Sequence, residues 1–378
     1  MRHIDAFCHF FPPRLFEKMS QTTGGTKDIG KRVRGVRTIY DLDARLRMMD
    51  EFDDYAEILS LGLPPIDAMA GPEQSPEFAR IANDGLAELC SKYPDRFAGY
   101  VGALPMNAPD AAAREAERIL LHGNANGLQL HTNVNGACLD EPRFFPIFEI
   151  AAKSGKPILL HPARTADVAD FPAETKSKYE IWVILGWPYE TSCTMARLIF
   201  SGLTTRLPQL KFLIHRLGAM IPFFDARLDT GWATLGSRTS DADYRAVLKN
   251  LGKPLLDCFK DFYADTALCG GRIGTVCGLA FYGVDHVLFA SDAPFGAEGG
   301  ASYIRGTMSV IRSLDIPTVD KEKICYRNAQ VLFKLRDCGR PRLVNARHSG
   351  SGFTSPFRHG LRLRARPDRR RGHRTQIR

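Results

Sequence analysis

Short apolar runs alternate with longer helical patterns from the N-terminus to residue 335, and six of the runs finish on, or just before, a histidine or an aspartate. The runs fall at 4–7, 56–61, 97–103, 127–130, 157–161, 211–215, 262–265 and 286–290. Each is brief, rich in Val, Ile, Leu or Phe, and bounded by Gly, Pro or polar residues, as strands are. Several lack polar alternation, the pattern of strands covered on both faces. Between them the apolar spacing is helical, at 41–51, 76–92, 108–121, 144–153, 191–201, 219–235, 271–281, 301–313 and 321–335. Eight strands, each followed by at least one helix, predict an α/β chain folded as a parallel (β/α)₈ barrel, the TIM barrel. The alternative is an open doubly wound sheet, whose dinucleotide fingerprint GxGxxG follows none of the strands. A polar stretch at 20–38 reads as an insertion after the first strand, either a lid or a surface loop.

In a parallel barrel, catalytic groups project from the C-terminal strand ends. Strand one runs into Phe7-Cys8-His9, strand four into His131-Thr132-Asn133, strand five into His161 and strand six into His215. Strand seven ends in Asp265, and strand eight is followed by Ser291-Asp292. A lone histidine at a strand end is most often a packed residue. Four strands ending in His and two in Asp converge on one mouth, where neutral imidazoles and a carboxylate suit zinc or a similar divalent ion. His122 and His286 fall away from that mouth and read as structural.

Composition excludes several other classes. A hydrophobic fraction of 44% and a charged fraction of 25% are globular values. No apolar run is long enough to predict a transmembrane helix, and the start MRHIDAFCHFFPP has no signal-peptide pattern. Nine scattered cysteines without a CxxC fit reduced thiols, so a cytoplasmic location is expected. The net charge of +9 belongs to the end of the chain: from Cys338 onward twelve arginines face one aspartate, a local +11, which leaves the rest at −2. Residues 336–378 read as a separate Arg-rich, disordered tail beyond a barrel of residues 1–335, with the composition of GC-rich DNA translated in an unintended frame. Such a tail could meet phosphates, but no nucleic-acid function and no membrane partner is expected.

The ordered series IDAFCHFFPP, GLQLHTNVNG, KPILLHP, LKFLIHRLGAMIPFF and VLFASDAPFG resembles the amidohydrolase superfamily, in the branch similar to aminocarboxymuconate semialdehyde decarboxylase. The likeness covers about residues 3 to 335. It implies a metal-dependent barrel in which His9, His161 and Asp292 hold a divalent ion, zinc foremost and manganese second, with His215 as the acid–base group. It also implies a homodimer. The pattern departs at position 7, where the family's first strand carries the first histidine of a His-x-His pair and this chain has Phe7. His3 lies at the wrong end of the strand and Cys8 on its other face, so the ligand count falls by one unless His215 or a water fills the gap. Arg216 is a second departure. It either pairs bidentately with a substrate carboxylate or forms a salt bridge on its own loop. Arg164 is a candidate for an anionic substrate. His131 and Asn133 either line the pocket or cap a loop, Asp265 is placed for a hydrogen bond at the barrel mouth, and Glu190 is placed to begin a helix.

The resemblance implies a metal-dependent, non-oxidative decarboxylase of a small aromatic or unsaturated carboxylic acid, with His215 and Asp292 as its catalytic groups. The same ligands would also serve a hydrolase or hydratase acting on a lactone, an amide or a double bond. A third reading is a barrel that has lost its metal through Phe7 and only binds a ligand.

Overall fold

The computed structural model describes residues 1–22, 27–240 and 244–335. Eight parallel strands follow one another around a barrel: β1 (His3–His9), β2 (Tyr55–Ser60), β3 (Phe97–Ala103), β4 (Gly127–His131), β5 (Ile158–His161), β6 (Phe212–Ile214), β7 (Tyr263–Asp265) and β8 (Val287–Leu288). All eight expected strands are present. After each comes a main helix: α1 (Leu42–Met49), α2 (Ser75–Lys92), α3 (Pro109–Leu120), α4 (Phe145–Ser154), α5 (Gly186–Phe200), α6 (Asp225–Trp232), α7 (Arg272–Tyr282) and α8 (Ala301–Arg312). The barrel, rather than the open sheet, follows from the seam. Beyond β8 the chain runs beside β1: Ala6 N donates to Phe289 O (3.0 Å), Asp292 N to Phe7 O (3.2 Å) and His9 N to Ala293 O (2.7 Å).

Local sequence explains the helices. The Asp41 side chain caps α1 by accepting from Ala44 N at 2.9 Å. Pro109 opens α3, and Ala112, Ala116, Ile119 and Leu120 form its buried stripe. Gly155 ends α4 in the left-handed conformation, φ 61°. Ile4, Phe7, Ile58, Val101, Leu159, Leu213 and Leu288 fill the inner barrel, while a larger layer packs between strands and helices.

Three expected helices differ. α5 starts at Gly186, five residues before the expected 191, so Glu190 lies inside the helix and does not begin it. The 219–235 pattern resolves into a 3₁₀ turn, Pro222–Phe224, and the short α6, because residues 216–219 all take positive φ. The 321–335 pattern is broken by a π-helical turn, Lys323–Arg327, ahead of Asn328–Leu332. The inserted stretch holds a six-residue helix, Ile29–Arg34. The Arg-rich segment 336–378 falls outside the described residues. Among the described residues no helix is long and apolar enough to cross a membrane.

Candidate functional site

Because all eight strands point the same way, their last residues share one rim. His131 and His161 are direct register partners on β4 and β5. The seam bond from Asp292 N to Phe7 O brings Asp292 across to the end of β1, where its side chain meets His9. His9 Nε2 lies 3.3 Å from Asp292 Oδ1, and His215 Nε2 lies 3.9 Å from the same oxygen. The His161 ring stands 5.2 Å from that of His9 and 5.9 Å from that of His215. The four residues expected to carry the chemistry are therefore neighbours, and all are buried.

Each imidazole is fixed by its Nδ1. His9 Nδ1 lies 3.0 Å from the Leu61 carbonyl oxygen, and His161 Nδ1 lies 2.7 Å from the Pro162 carbonyl oxygen. A carbonyl only accepts, so Nδ1 carries the hydrogen and Nε2 keeps its lone pair. His215 Nδ1 donates to Asp265 Oδ2 at 2.9 Å, while Asp265 Oδ1 accepts from Arg216 N and Ala267 N. The barrel-mouth bond expected of Asp265 is therefore to His215, and it fixes the same tautomer there.

This donor set poses an electrostatic question. His9 Nε2 is buried, has no hydrogen-bond partner, and faces a carboxylate oxygen. Two acceptors at that distance repel unless a proton or a metal cation lies between them. Among the described residues, no three His, Cys, Asp or Glu side chains are already gathered at ligating spacing. The chemistry still fits a divalent ion. His9 and His161 present unprotonated nitrogens held from behind by carbonyl oxygens, as ligating histidines are, and Asp292 presents Oδ1. Burial, and then the neighbouring His9, His131 and His215, hold the His161 imidazolium well below its ordinary range, so His161 stays neutral. Burial would raise the Asp292 carboxyl, but the Arg216 guanidinium and the two histidines outweigh it and bring it down to about 2.

Phe7 occupies the inward position where the family resemblance implies a first histidine. It is fully buried, stacks on His215 with ring centroids 3.9 Å apart, and meets His9 edge-on at 5.0 Å. It forms an apolar floor against which His215 is held flat. Cys8 points to the other face, beside Tyr55 Oη at 3.9 Å, and His3 packs on Phe289 at the far end of the strand.

The three residues expected to meet substrate are placed differently from one another. His131 sits beside His161, rings 5.3 Å apart, and burial pushes its imidazolium down to about 3. Arg216 reaches back to the cluster, with Nη2 2.9 Å from Asp292 Oδ2. Arg164 does not join it: its guanidinium donates to Ala169 O at 3.3 Å, and its carbonyl accepts from Trp187 Nε1 at 3.0 Å. Asn133 caps the adjoining hairpin through Gly136 N and donates to Glu190, which also takes the Thr132 hydroxyl. Glu190 thus ties α5 to the end of β4. His286 stacks on Tyr263 and is half-buried, away from the mouth.

A family model described as Amidohydrolase matches residues 4–335. The gamma-resorcylate decarboxylase of Polaromonas sp. is 31% identical over 305 residues, 78% of this chain and 87% of that protein. The 2-amino-3-carboxymuconate-6-semialdehyde decarboxylase of Dictyostelium discoideum is 32% identical over 193 residues, about half of each chain (51% and 52%). A crystal structure of a dihydroxybenzoic acid decarboxylase from Polaromonas sp., with bound manganese and the inhibitor 2-nitroresorcinol, superposes with a TM-score of 0.67 at 26% identity, covering 88% of this chain and 97% of that one.

Proposed function

The chain belongs to the amidohydrolase family, and from that premise we propose that it is a divalent-metal-dependent, non-oxidative decarboxylase of a small aromatic carboxylic acid. The observation that carries the proposal is the meeting of His9 Nε2, His215 Nε2 and Asp292 Oδ1 beside the Arg216 guanidinium. His9, His161 and Asp292 would hold the ion, zinc or manganese, and the Polaromonas enzyme's manganese supports the second. When bound, the ion supplies a Lewis acid for substrate oxygens. A homodimer and a cytoplasmic setting belong to the same reading. The eight cysteines within the described residues are all unpaired, as in a reducing compartment.

Non-oxidative decarboxylation exchanges C–CO₂⁻ for C–H. The C–C bond breaks, its electron pair stays on the ring carbon, CO₂ leaves, and a proton takes its place. His215 is built to bring that proton. With Nδ1–H held on Asp265, only Nε2 can gain or lose one, and the Asp265 carboxylate offsets the imidazolium charge while Nε2 is protonated. Phe7 keeps the ring face and excludes water from beneath it. Buried His131 stays neutral and presents an uncharged wall, and its Nε2 has no protein partner.

Asp265→Asn tests this assignment. An amide offers an NH₂ to His215 Nδ1 as readily as an oxygen, which places the hydrogen on Nε2 in the resting state. We expect kcat to fall by roughly 10²–10⁴-fold, with metal content unchanged. A variant that keeps wild-type kcat would remove His215 from the proton step.

The function itself is read by supplying hydroxybenzoates, γ-resorcylate (2,6-dihydroxybenzoate) first, together with lactone and amide substrates, and scoring CO₂ against ring-opened or hydrated product. Release of CO₂ with one solvent proton entering the ring supports the proposal. Turnover of the lactone or amide alone would replace it with metal-assisted hydrolysis.

A further inference from the structure

Arg216 is held in an unusual way. It directly follows the strand-six histidine, and it opens a run of four residues, Arg216, Leu217, Gly218 and Ala219, all at positive φ (58°, 52°, 75° and 57°). Three of these are not glycine, and such backbone persists only where its surroundings impose it. Here the Arg216 N–H is pinned to Asp265 Oδ1 at 3.0 Å, and Leu217 N to Asp265 O at 2.8 Å. The turn aims the side chain inward. Nη1 donates to Ala267 O at 3.2 Å, and Nη2 meets Asp292 Oδ2 at 2.9 Å. The Arg216 side chain keeps 22% of its surface open at the mouth, while that of Asp292 keeps 8%.

The Asp292 carboxylate is thus divided. One oxygen is taken by a fixed cation, and the other faces the lone pairs of His9 and His215. A divalent ion at Oδ1 would meet a carboxylate whose charge is already offset, with a guanidinium close behind it. Both effects weaken its hold, in a site that already has Phe7 where a further ligand could stand. A substrate carboxylate at the mouth would give this part-buried side chain a second partner of the geometry its guanidinium binds best.

We propose that Arg216 and the divalent ion compete for Asp292, and that an anionic substrate group relieves the competition by drawing the guanidinium to itself, so that metal and substrate bind with positive coupling. The inference rests on the metal-dependent reading above. Coupling of this kind is reciprocal: whatever factor the anion adds to metal affinity, the metal adds to anion affinity.

The test is Mn²⁺ binding to the full-length protein, read from the electron paramagnetic resonance signal of the free ion. Wild type and Arg216→Met are compared with and without 2-hydroxybenzenesulfonate, an aromatic anion that cannot lose CO₂. Arg216→Gln replaces the methionine variant if that one does not fold. The expected result is that the variant binds Mn²⁺ roughly tenfold or more tightly than wild type without the anion. The sulfonate should tighten wild-type binding severalfold and leave the variant within twofold. Equal or weaker binding by the variant would overturn the competition. Coupling that persists in the variant would overturn the role given to Arg216. If neither protein binds Mn²⁺, the metal-dependent reading falls together with this inference.

Discussion

Asp292→Asn is expected to lower CO₂ release on the order of 10³-fold while leaving the protein folded. Asp292 sits at φ 67°, a conformation that asparagine tolerates as well as aspartate, so the backbone at the seam is undisturbed. The charge is what changes. With its carboxyl held at about 2, Asp292 is anionic throughout the neutral range. An amide leaves the Arg216 guanidinium without its counter-charge and presents His9 Nε2 with either a carbonyl oxygen or an NH₂ donor, neither of which is a strong ligand. Metal affinity should fall with activity. A variant that kept activity within tenfold of wild type would show that the strand-eight carboxylate is not part of the chemistry.

Arg45→Met is expected to destabilise the fold by roughly 3–5 kcal/mol, the usual result of stranding one member of a buried ion pair. That would lower Tm by roughly 10 °C. Arg45 on α1 and Glu57 on β2 are both fully buried, with Nε 2.9 Å from Oε2. Tyr55 Oη lies within reach of both Glu57 and Asp5, at 3.2 and 2.8 Å. Asp5 in turn accepts from Ser291 N across the barrel seam. Burial above all, with the nearby Glu57 adding to it, raises the Asp5 carboxyl to about 6 even though Ser291 hydrogen-bonds it. Removing the guanidinium would leave Glu57 without its cation, in a network that reaches Ser291, next to Asp292. The double variant Arg45→Met/Glu57→Leu should regain most of the loss, because the cost lies in the uncompensated charge. Differential scanning calorimetry of the three proteins decides it. A single variant within 2 °C of wild type would show that Arg45 contributes little.

That acid network was not legible in the sequence analysis, although it left a trace. Asp5 and Glu57 are charged residues inside runs that otherwise read as fully buried strands, and such residues need a partner brought by the fold. The strand-end histidines were legible because a parallel barrel fixes which end of each strand meets the mouth, whatever the strand's exact limits. What each histidine does was not. Tautomers depend on the Leu61, Pro162 and Asp265 oxygens behind the rings, and those contacts are set by neighbouring strands. Arg216 was left between a substrate contact and a loop salt bridge. It forms an ion pair, but with Asp292, 76 residues away and beyond its own loop. That pairing exists only once the barrel brings the ends of β6 and β8, on either side of β7, to one rim. Arg164 looked equally suited to an anion beside His161, but the early start of α5 puts Trp187 on its carbonyl and its guanidinium turns to Ala169.

The most direct measurement is metal-titrated turnover of γ-resorcylate in D₂O by metal-depleted protein, alongside His161→Ala. Metal-dependent decarboxylation predicts that CO₂ release rises in proportion to bound Mn²⁺ or Zn²⁺. It also predicts one deuterium on the ring carbon that carried the carboxylate, and loss of both signals in His161→Ala. Unchanged turnover after complete metal removal, or product formed without CO₂, would contradict it.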